Sequence, residues 1–269
     1  MKRLILSRKG FDAKSGGNAS PILKDGRIFS LPIPQKHFSP VKYKNLNFDG
    51  IPVSELLRET RSLVLPSDYC HHDPMLNVKI GIFGQAGSSQ TELKKNKVNK
   101  GDLFLFFGWF KDFFNNGNDI HHLFGWLQIE QIIDNTIRIK KFLKALNIKH
   151  PHGYDDENRY KNNTIYVGKK MLALPKMKSL SISGFGLFKN YHKDLTLTEL
   201  DMSRSRWKLP KRYFLNSKNL FLNRLKWDDE KECKIFYKGF GQEFILNSEE
   251  NPKLIDWAYF LINNYGKKK

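Results

Sequence analysis

The run Leu103-Phe104-Leu105-Phe106-Phe107-Gly108-Trp109-Phe110 narrows the possible folds more than any other segment of the chain. It contains no charged or amide side chain, so it lacks the alternation of a strand with one wet face. Eight residues are also too few for a membrane span, which needs about 18. A continuous aromatic run of this length reads as a strand covered on both faces. Lys100-Gly101-Asp102 leads into it, and a polar loop at 115–119 separates it from a second apolar run, Leu123-Phe124-Gly125-Trp126-Leu127-Gln128-Ile129. Two such runs joined by a loop pair most simply as antiparallel neighbours.

The remaining segments supply helices and further strands. Residues 3–8 read as a strand. Ser20-Pro21-Ile22-Leu23, the turn Lys24-Asp25-Gly26 and residues 27–33 read as a hairpin, because Asp-Gly between apolar runs favours a primed turn. Helices are predicted over 53–60, from Ser88 or Ser89 (whose hydroxyls can cap) through Leu93, and over 139–146, where Ile139, Phe142, Leu143 and Leu146 share one face. Residues 164–167, 180–183, 186–188 and 234–237 read as short strands. The last helix is the best defined, with Asn251 as cap, Pro252 in the first turn and Gly266 at its end. Its stripe of Leu254, Trp257, Ala258, Leu261, Ile262 and Tyr265 is a packing face. With no repeat and no strand–helix–strand alternation, the expected class is α+β, a mixed or antiparallel sheet with the C-terminal amphipathic helix packed on it. We read one domain over 1–269, its hairpin core in 1–149 and an extension in 150–269.

Composition sets the function classes. A 269-residue chain that is 40% hydrophobic and 13% aromatic has material for a core and is not disordered. Cys70 and Cys233 supply neither a disulfide framework nor a zinc quartet. Met1-Lys2-Arg3 starts like a signal peptide, but the apolar segment that follows, Leu4-Ile5-Leu6, is three residues long. The expectation is a cytoplasmic protein with no membrane partner. The charge is the informative quantity: 46 Lys and Arg against 27 Asp and Glu give +19. The excess is spread over all three thirds of the chain, as on a folded surface facing nucleic acid or nucleotide phosphate. Solvated surface in a Lys- and Asn-rich chain is the plainer account.

Three constellations carry chemistry. In Ser7-Arg8-Lys9-Gly10-Phe11-Asp12 with Ser15-Gly16-Gly17, a strand delivers two cations and a carboxylate into a glycine-rich loop. Arg8 can hold phosphate bidentately, Lys9 as a point charge, and Ser15, Gly16 and Gly17 through the backbone. The spacing is not that of a Walker loop, and the alternative is a polar turn in which Asp12 bonds its own backbone. His71-His72-Asp73-Pro74 and His150-Pro151-His152 form the second group. His72, Asp73, His150 and His152 make a ligand set suited to Zn, Fe or Mn, yet neither segment has helical metal-ligand spacing. We therefore assign no metal from sequence and take His72 and His152 as acid–base candidates, with Asp73 beside them. His121-His122 reads as a loop pair. The third group is amide-rich: Gln85 and Gln90 in Gly84-Gln85-Ala86-Gly87-Ser88-Ser89-Gln90, and Gln242 with Glu243 in Gly239-Phe240-Gly241-Gln242-Glu243-Phe244. Such amides match base edges, and Glu243 can move a proton. Trp109, Trp126 and Trp207 are the base-stacking candidates, although a Trp in a strand is more often core.

These segments together, with Ser30-Leu31-Pro32-Ile33-Pro34, Asn162-Asn163 and Trp207-Lys208-Leu209-Pro210, resemble the third of the nucleotide modification associated domain families. The resemblance spans nearly the whole chain. It implies a phage or bacterial setting near DNA-base hypermodification genes, with partner proteins of such a system, and assigns no reaction to any residue. The segment Val98-Asn99-Lys100-Gly101-Asp102, its following strand and Phe124-Gly125-Trp126-Leu127 also resemble the central hairpin of PUA-like barrels, which implies a sheet curled into a barrel.

The leading reading is a protein that modifies a nucleotide or DNA base, phosphate held by the N-terminal loop. Asp12, His72, Asp73, His152 and Glu243 are then the catalytic candidates, and Gln85, Gln90 and Gln242 read the base. The rivals are a non-catalytic reader of modified bases and an accessory subunit. No motif names a cofactor. Arg8, Lys9, Asp12, His72, Gln85, His152 and Gln242 each follow or interrupt an apolar run, so most of the seven are expected to converge on one cationic cleft with the 103–110 strand beneath. A spread of +19 further predicts that affinity for nucleic acid falls steeply between low and physiological salt. Titration of a labelled oligonucleotide across that range checks this, and a flat response contradicts a polyanionic partner.

Overall fold

The computed structural model describes residues 1–266 apart from 77, 155–158, 176–181, 218 and 240. In chain order the elements are β1 (Arg3–Arg8), β2 (Ser20–Pro21), β3 (Asn47–Phe48), β4 (Ile51–Pro52), α1 (Val53–Glu59), β5 (Ile82–Gln85), α2 (Gly87–Lys95), β6 (Leu103–Lys111) and β7 (Ile120–Ile133). There follow α3 (Thr136–Ala145), β8 (Thr164–Gly168), β9 (Phe185–Leu187), β10 (Arg206–Lys208), α4 (Lys211–Phe214), β11 (Lys234–Phe236), β12 (Glu243–Asn247) and α5 (Lys253–Tyr265). The class is α+β.

One mixed sheet runs β12-β1-β6-β7-β8-β5, with β2 added on β6 and β9 on β7. β1 and β6 are parallel, and the other neighbours on this path are antiparallel. β6 and β7 pair as their loop requires, and the register slips at Phe106/Phe107 and again at Ile129/Gln131. Such irregularities bend and twist strands, and the sheet rolls until its two edge strands approach. No backbone pairing joins β12 to β5 among the described residues, so the expected PUA-like barrel is not found. The gap is crossed instead by side chains, with Gln85 Nε2 donating to Glu243 Oε1 at 2.6 Å. Strand pairs also cross the 149/150 boundary, since β1 pairs with β12 and β7 with β8 and β9.

Alternation along the strands sorts their side chains onto two buried faces. Leu4, Leu6, Leu103, Leu105, Phe107, Phe244 and Leu246 pack with Trp207 and with the α5 stripe of Leu254, Trp257, Ala258, Leu261 and Ile262. Ile5, Phe104, Phe106 and Ile245 face the other way, into an aromatic cluster with Phe83 and Tyr166. This two-sided burial is why residues 103–107 are apolar without interruption. A third cluster, around Phe11, Tyr43, Leu56 and Cys70, holds the N-terminal loops on α1. Pro252 rather than Asn251 takes the N-cap position of α5, and Asn251, one residue earlier, accepts from the Lys253 amide through Oδ1. No helix among the described residues is long and apolar enough to cross a membrane.

Several local expectations are corrected. His121 and His122 are buried in β7 rather than on a loop. Trp126 and Trp207 are fully buried core residues and offer no face to a base. Ala86 occupies the N-cap of α2 without a side-chain bond, so neither Ser88 nor Ser89 caps it. Of the strand expected over 180–183, Ile182 and Ser183 are irregular, and 180 and 181 lie outside the described residues. Phe240 and positions 155–158 of the charged loop lie outside them too.

Burial pushes the His121 imidazole down to about 3 and that of His122 to about 4. In the unfolded chain each titrates near 6.5. Below roughly pH 6.5 the unfolded chain therefore binds protons that the folded chain does not, so stability is lost as pH falls toward 4. The urea midpoint is expected to be lower at pH 5 than at pH 7. Equal midpoints would contradict the neutral, buried state of these rings.

Candidate functional site

The site is organised by one carboxylate. Glu243 opens β12 directly opposite Ser7 of β1, and its side chain is 1% exposed. Its Oε1 accepts from Ser7 Oγ at 3.0 Å, from Lys9 Nζ at 2.8 Å and from Gln85 Nε2 at 2.6 Å. Its Oε2 is buried and has no partner among the described residues. An ionised oxygen left in that state is costly unless a ligand or solvent supplies a donor.

Around this carboxylate opens a cleft of about 710 Å³. Arg8, Arg204 and Arg224 line it, together with the aromatic side chains of Trp109 and Tyr237 and the polar residues Asp12, Glu92 and Gln242. Arg204 stacks on the Trp109 ring at 3.8 Å, and its own pKa is lowered, chiefly by burial. Arg8 lies 3.7 Å from Asp12 Oδ2 and 5.9 Å from the Tyr237 ring centre. Ala86, Gly87, Ser88 and Ser89 bring the start of α2 to the same cleft. That helix has no side-chain cap and no acidic residue in its first turn; the Gly87 amide donates to the Lys161 carbonyl at 2.6 Å, and the amides that follow it are the part of the positive end suited to an anion.

A second cavity of about 200 Å³ shares Arg8, Asp12, Gln85, Ala86 and Gln242 with the first. His71, Asp73 and His152 form its inner wall beside Lys9 and Tyr160. One potential ligand atom from each of His71, Asp73 and His152 lies within 4.8 Å of the others. Behind them, Asp73 Oδ1 accepts from the Gly84 amide at 2.8 Å and meets His150 Nε2 at 2.9 Å. Burial pushes the imidazoles of His71 and His150 down to about 3 and that of His152 to about 4, and raises the Asp73 carboxyl.

Six of the seven residues expected to converge do so. Arg8, Lys9, Asp12, Gln85, His152 and Gln242 line the joined cavities, while His72 faces a separate pocket with Phe48 and Leu187. Their arrangement differs from a phosphate cradle. Asp12 Oδ1 accepts from the amides of Lys14 and Ser15, and its carbonyl accepts from Gly17. The loop's amides thus turn inward. Gly16 holds φ +96° with Phe11 against it, where a Cβ would overlap the ring, and neither Gly16 nor Gly17 lines either cavity. Lys9 is bound by Glu243 and is not a free charge. Gln85 spends both ends, its Oε1 on the Ala86 amide and its Nε2 on Glu243. Gln90 points away from the cleft and accepts from the Tyr166 hydroxyl at 2.9 Å. Of the stacking candidates, Trp109 alone lines the cleft.

Sequence reasoning missed His71, Arg204, Arg224 and Tyr237. For His71 a signal existed. In extended backbone, side chains alternate, so His71 shares a side with Asp73 and His72 does not. Arg204 and Arg224 sit in irregular segments whose side-chain directions no periodicity reveals.

Fold and site together define an α+β protein with a cationic cleft built around a buried carboxylate. The model of the family described as nucleotide modification associated domain 3 matches residues 3–247. The chain belongs to that family. Searches of the curated proteins and of the solved structures returned no match.

Because Lys9 is 10% exposed and its partner 1%, removing the carboxylate strands a buried cation. Glu243→Ala is expected to destabilise by about 3–5 kcal/mol. Lys9→Met combined with Glu243→Ala should cost less than the two single changes added together. Urea denaturation of the four proteins closes this cycle, and simple additivity would contradict the pairing.

Proposed function

We propose that this protein acts on a nucleotide, or on a base within nucleic acid, bound in the cleft around Glu243. The phosphate sits among Arg8, Arg204, Arg224 and the uncapped start of α2, and the base lies toward Trp109, Tyr237 and Gln242. Glu243, whose Oε2 is unpartnered, is the group placed to exchange a proton with the ligand. The observation that carries this reading is that three arginines and a helix N-terminus line one cleft with a buried carboxylate, in a chain matched over residues 3–247 by a nucleotide-modification family. Guanidinium groups suit phosphate because their paired donors match its oxygens. Asp12, Glu92 and Glu243 in the same cleft favour chemistry over an aromatic cage that only reads a base.

Nucleoside mass spectrometry of DNA and nucleotide pools, from cells with and without the gene, tests the function. The expected result is a modified nucleoside that disappears with the gene. Unchanged profiles beside retained oligonucleotide binding would favour the reader. At the level of residues, Arg8→Ala and Arg204→Ala are each expected to weaken binding of a nucleotide or oligonucleotide at least about tenfold, the scale of one charge-assisted hydrogen bond. Unaltered affinity in both variants would remove the phosphate assignment.

A further inference from the structure

We infer that His71, Asp73 and His152 bind a divalent first-row transition metal, as a site with two imidazole nitrogens, one carboxylate oxygen and open positions toward the cleft. Asn163 Nδ2 donates to the His152 carbonyl at 3.0 Å and to Thr136 Oγ1 at 3.3 Å. Its Oδ1 must therefore be the atom 2.6 Å from His152 Nδ1, and that nitrogen carries the proton. Gln35 Nε2 likewise donates to the Phe38 carbonyl at 3.0 Å, so its Oε1, 3.0 Å from His71 Nδ1, accepts from that ring, and the Tyr160 hydroxyl, 3.4 Å from the same nitrogen, meets a protonated Nδ1 and can only accept there. Each neutral imidazole then has a bare lone pair on Nε2.

The carboxylate is fixed by the same logic. His150 Nδ1 accepts from the His152 amide at 3.3 Å, so the proton of neutral His150 is on Nε2 and is donated to Asp73 Oδ1 at 2.9 Å. The Gly84 amide takes the same oxygen. Asp73 Oδ2 is left, 3.9 Å from His71 Nε2, beyond hydrogen-bond range. With Asp73 ionised, three acceptor atoms thus face one another with no donor between them among the described residues. A cation resolves this arrangement.

The surroundings match what metal ligands need. Each ligand's far atom is held by a partner, Gln35 for His71, His150 and Gly84 for Asp73, and Asn163 for His152, which fixes tautomer and orientation. Tyr160 stacks on the His152 ring at 4.7 Å. On the other side Gly84 is required, because a Cβ there would overlap that ring. Lys9 also lines the cavity, but its charge is engaged by Glu243 at 2.8 Å. Ligand atoms on one ion at about 2.1 Å stand roughly 3.0–3.5 Å apart, so closing the 4.8 Å set takes a small ring rotation. His71, whose side chain is 18% exposed, is the member free to make it. Imidazole and carboxylate together select Fe(II), Mn(II), Co(II) or Zn(II) over Mg or Ca. Binding of the ion stands without the nucleotide reading; that the open positions receive a nucleotide rests on it.

The test uses the full chain, stripped with chelator and titrated separately with Zn(II), Mn(II), Co(II) and, without oxygen, Fe(II). Calorimetry should give one ion per chain, and Co(II) should develop visible d–d absorption. His71→Ala, Asp73→Asn and His152→Ala should each weaken binding at least about 100-fold, Asn163→Ala about 10–100-fold, and His72→Ala should change little. Circular dichroism identifies any variant that fails to fold. The wild-type stoichiometry and the milder Asn163→Ala variant then decide alone. Absence of stoichiometric binding of all four ions would overturn the inference, as would equal losses in His71→Ala and His72→Ala. Oligonucleotide binding by the stripped protein is measured in parallel. If it fails while the ion binds, the nucleotide reading falls and the metal site stands.

Discussion

The three hydrogen bonds on Glu243 Oε1 hold the rest of the arrangement in place. They join Ser7 and Lys9, at the end of a central strand, to Gln85 at the far edge of the rolled sheet. The sheet has no closing ladder among the described residues, so this carboxylate does by side-chain bonding what backbone pairing does in a barrel. The same knot sets the wall between the two cavities, since Gln85 and Lys9 line one and Gln85 and Glu243 the other. Buried ion pairs contribute little net stability against an apolar replacement. Geometry is the better account of this one: it defines where the edges stop and where the cleft begins.

The division of labour in the fold follows. Two apolar faces, one under α5 and one inside the roll, make the sheet rigid. Polar residues enter where strands end, on the loops after β1 and β5 and at the start of β12. Loops carried by a rigid scaffold are where functional side chains collect. The nucleotide-modification family to which the chain belongs is matched from β1 into β12, the two strands that meet at Glu243.

Much of the scaffold was legible because it obeys local rules. Residues 3–8 carry the apolar triplet Leu4-Ile5-Leu6, the β6 run is apolar from Leu103 to Phe110, and the α5 stripe keeps a 3.6-residue period up to Gly266. His121 and His122 misled because polarity suggests a loop, whereas tertiary packing gave their rings buried partners, Trp207 for one and the His192 backbone for the other. Trp126 and Trp207 misled in the opposite sense, since aromatic chemistry suits bases but the core took both. At the site, local spacing brought Arg8, Lys9, Gln85, His152, Gln242 and Glu243 into view. It did not say which would be spent on one another. That Lys9 neutralises Glu243, and that Asp12 folds its own loop, depends on contacts across long separations that no window of sequence contains. The choice between His71 and His72 was in reach, through the parity of an extended segment.

Ser7 and Glu243 are 236 residues apart in sequence. Loop-closure entropy must be spent before such a contact returns anything, and non-local pairing slows folding. β1 can pair with β6 early, but its other edge waits for β12. Until residue 243 has been synthesised and docked, Lys9 has no counterion and the edge of β1 has no partner. The cleft is therefore completed by the chain's long-range closure rather than by any local segment, and the same closure brings Phe244, Leu246 and the α5 stripe onto the core face of β1 and β6.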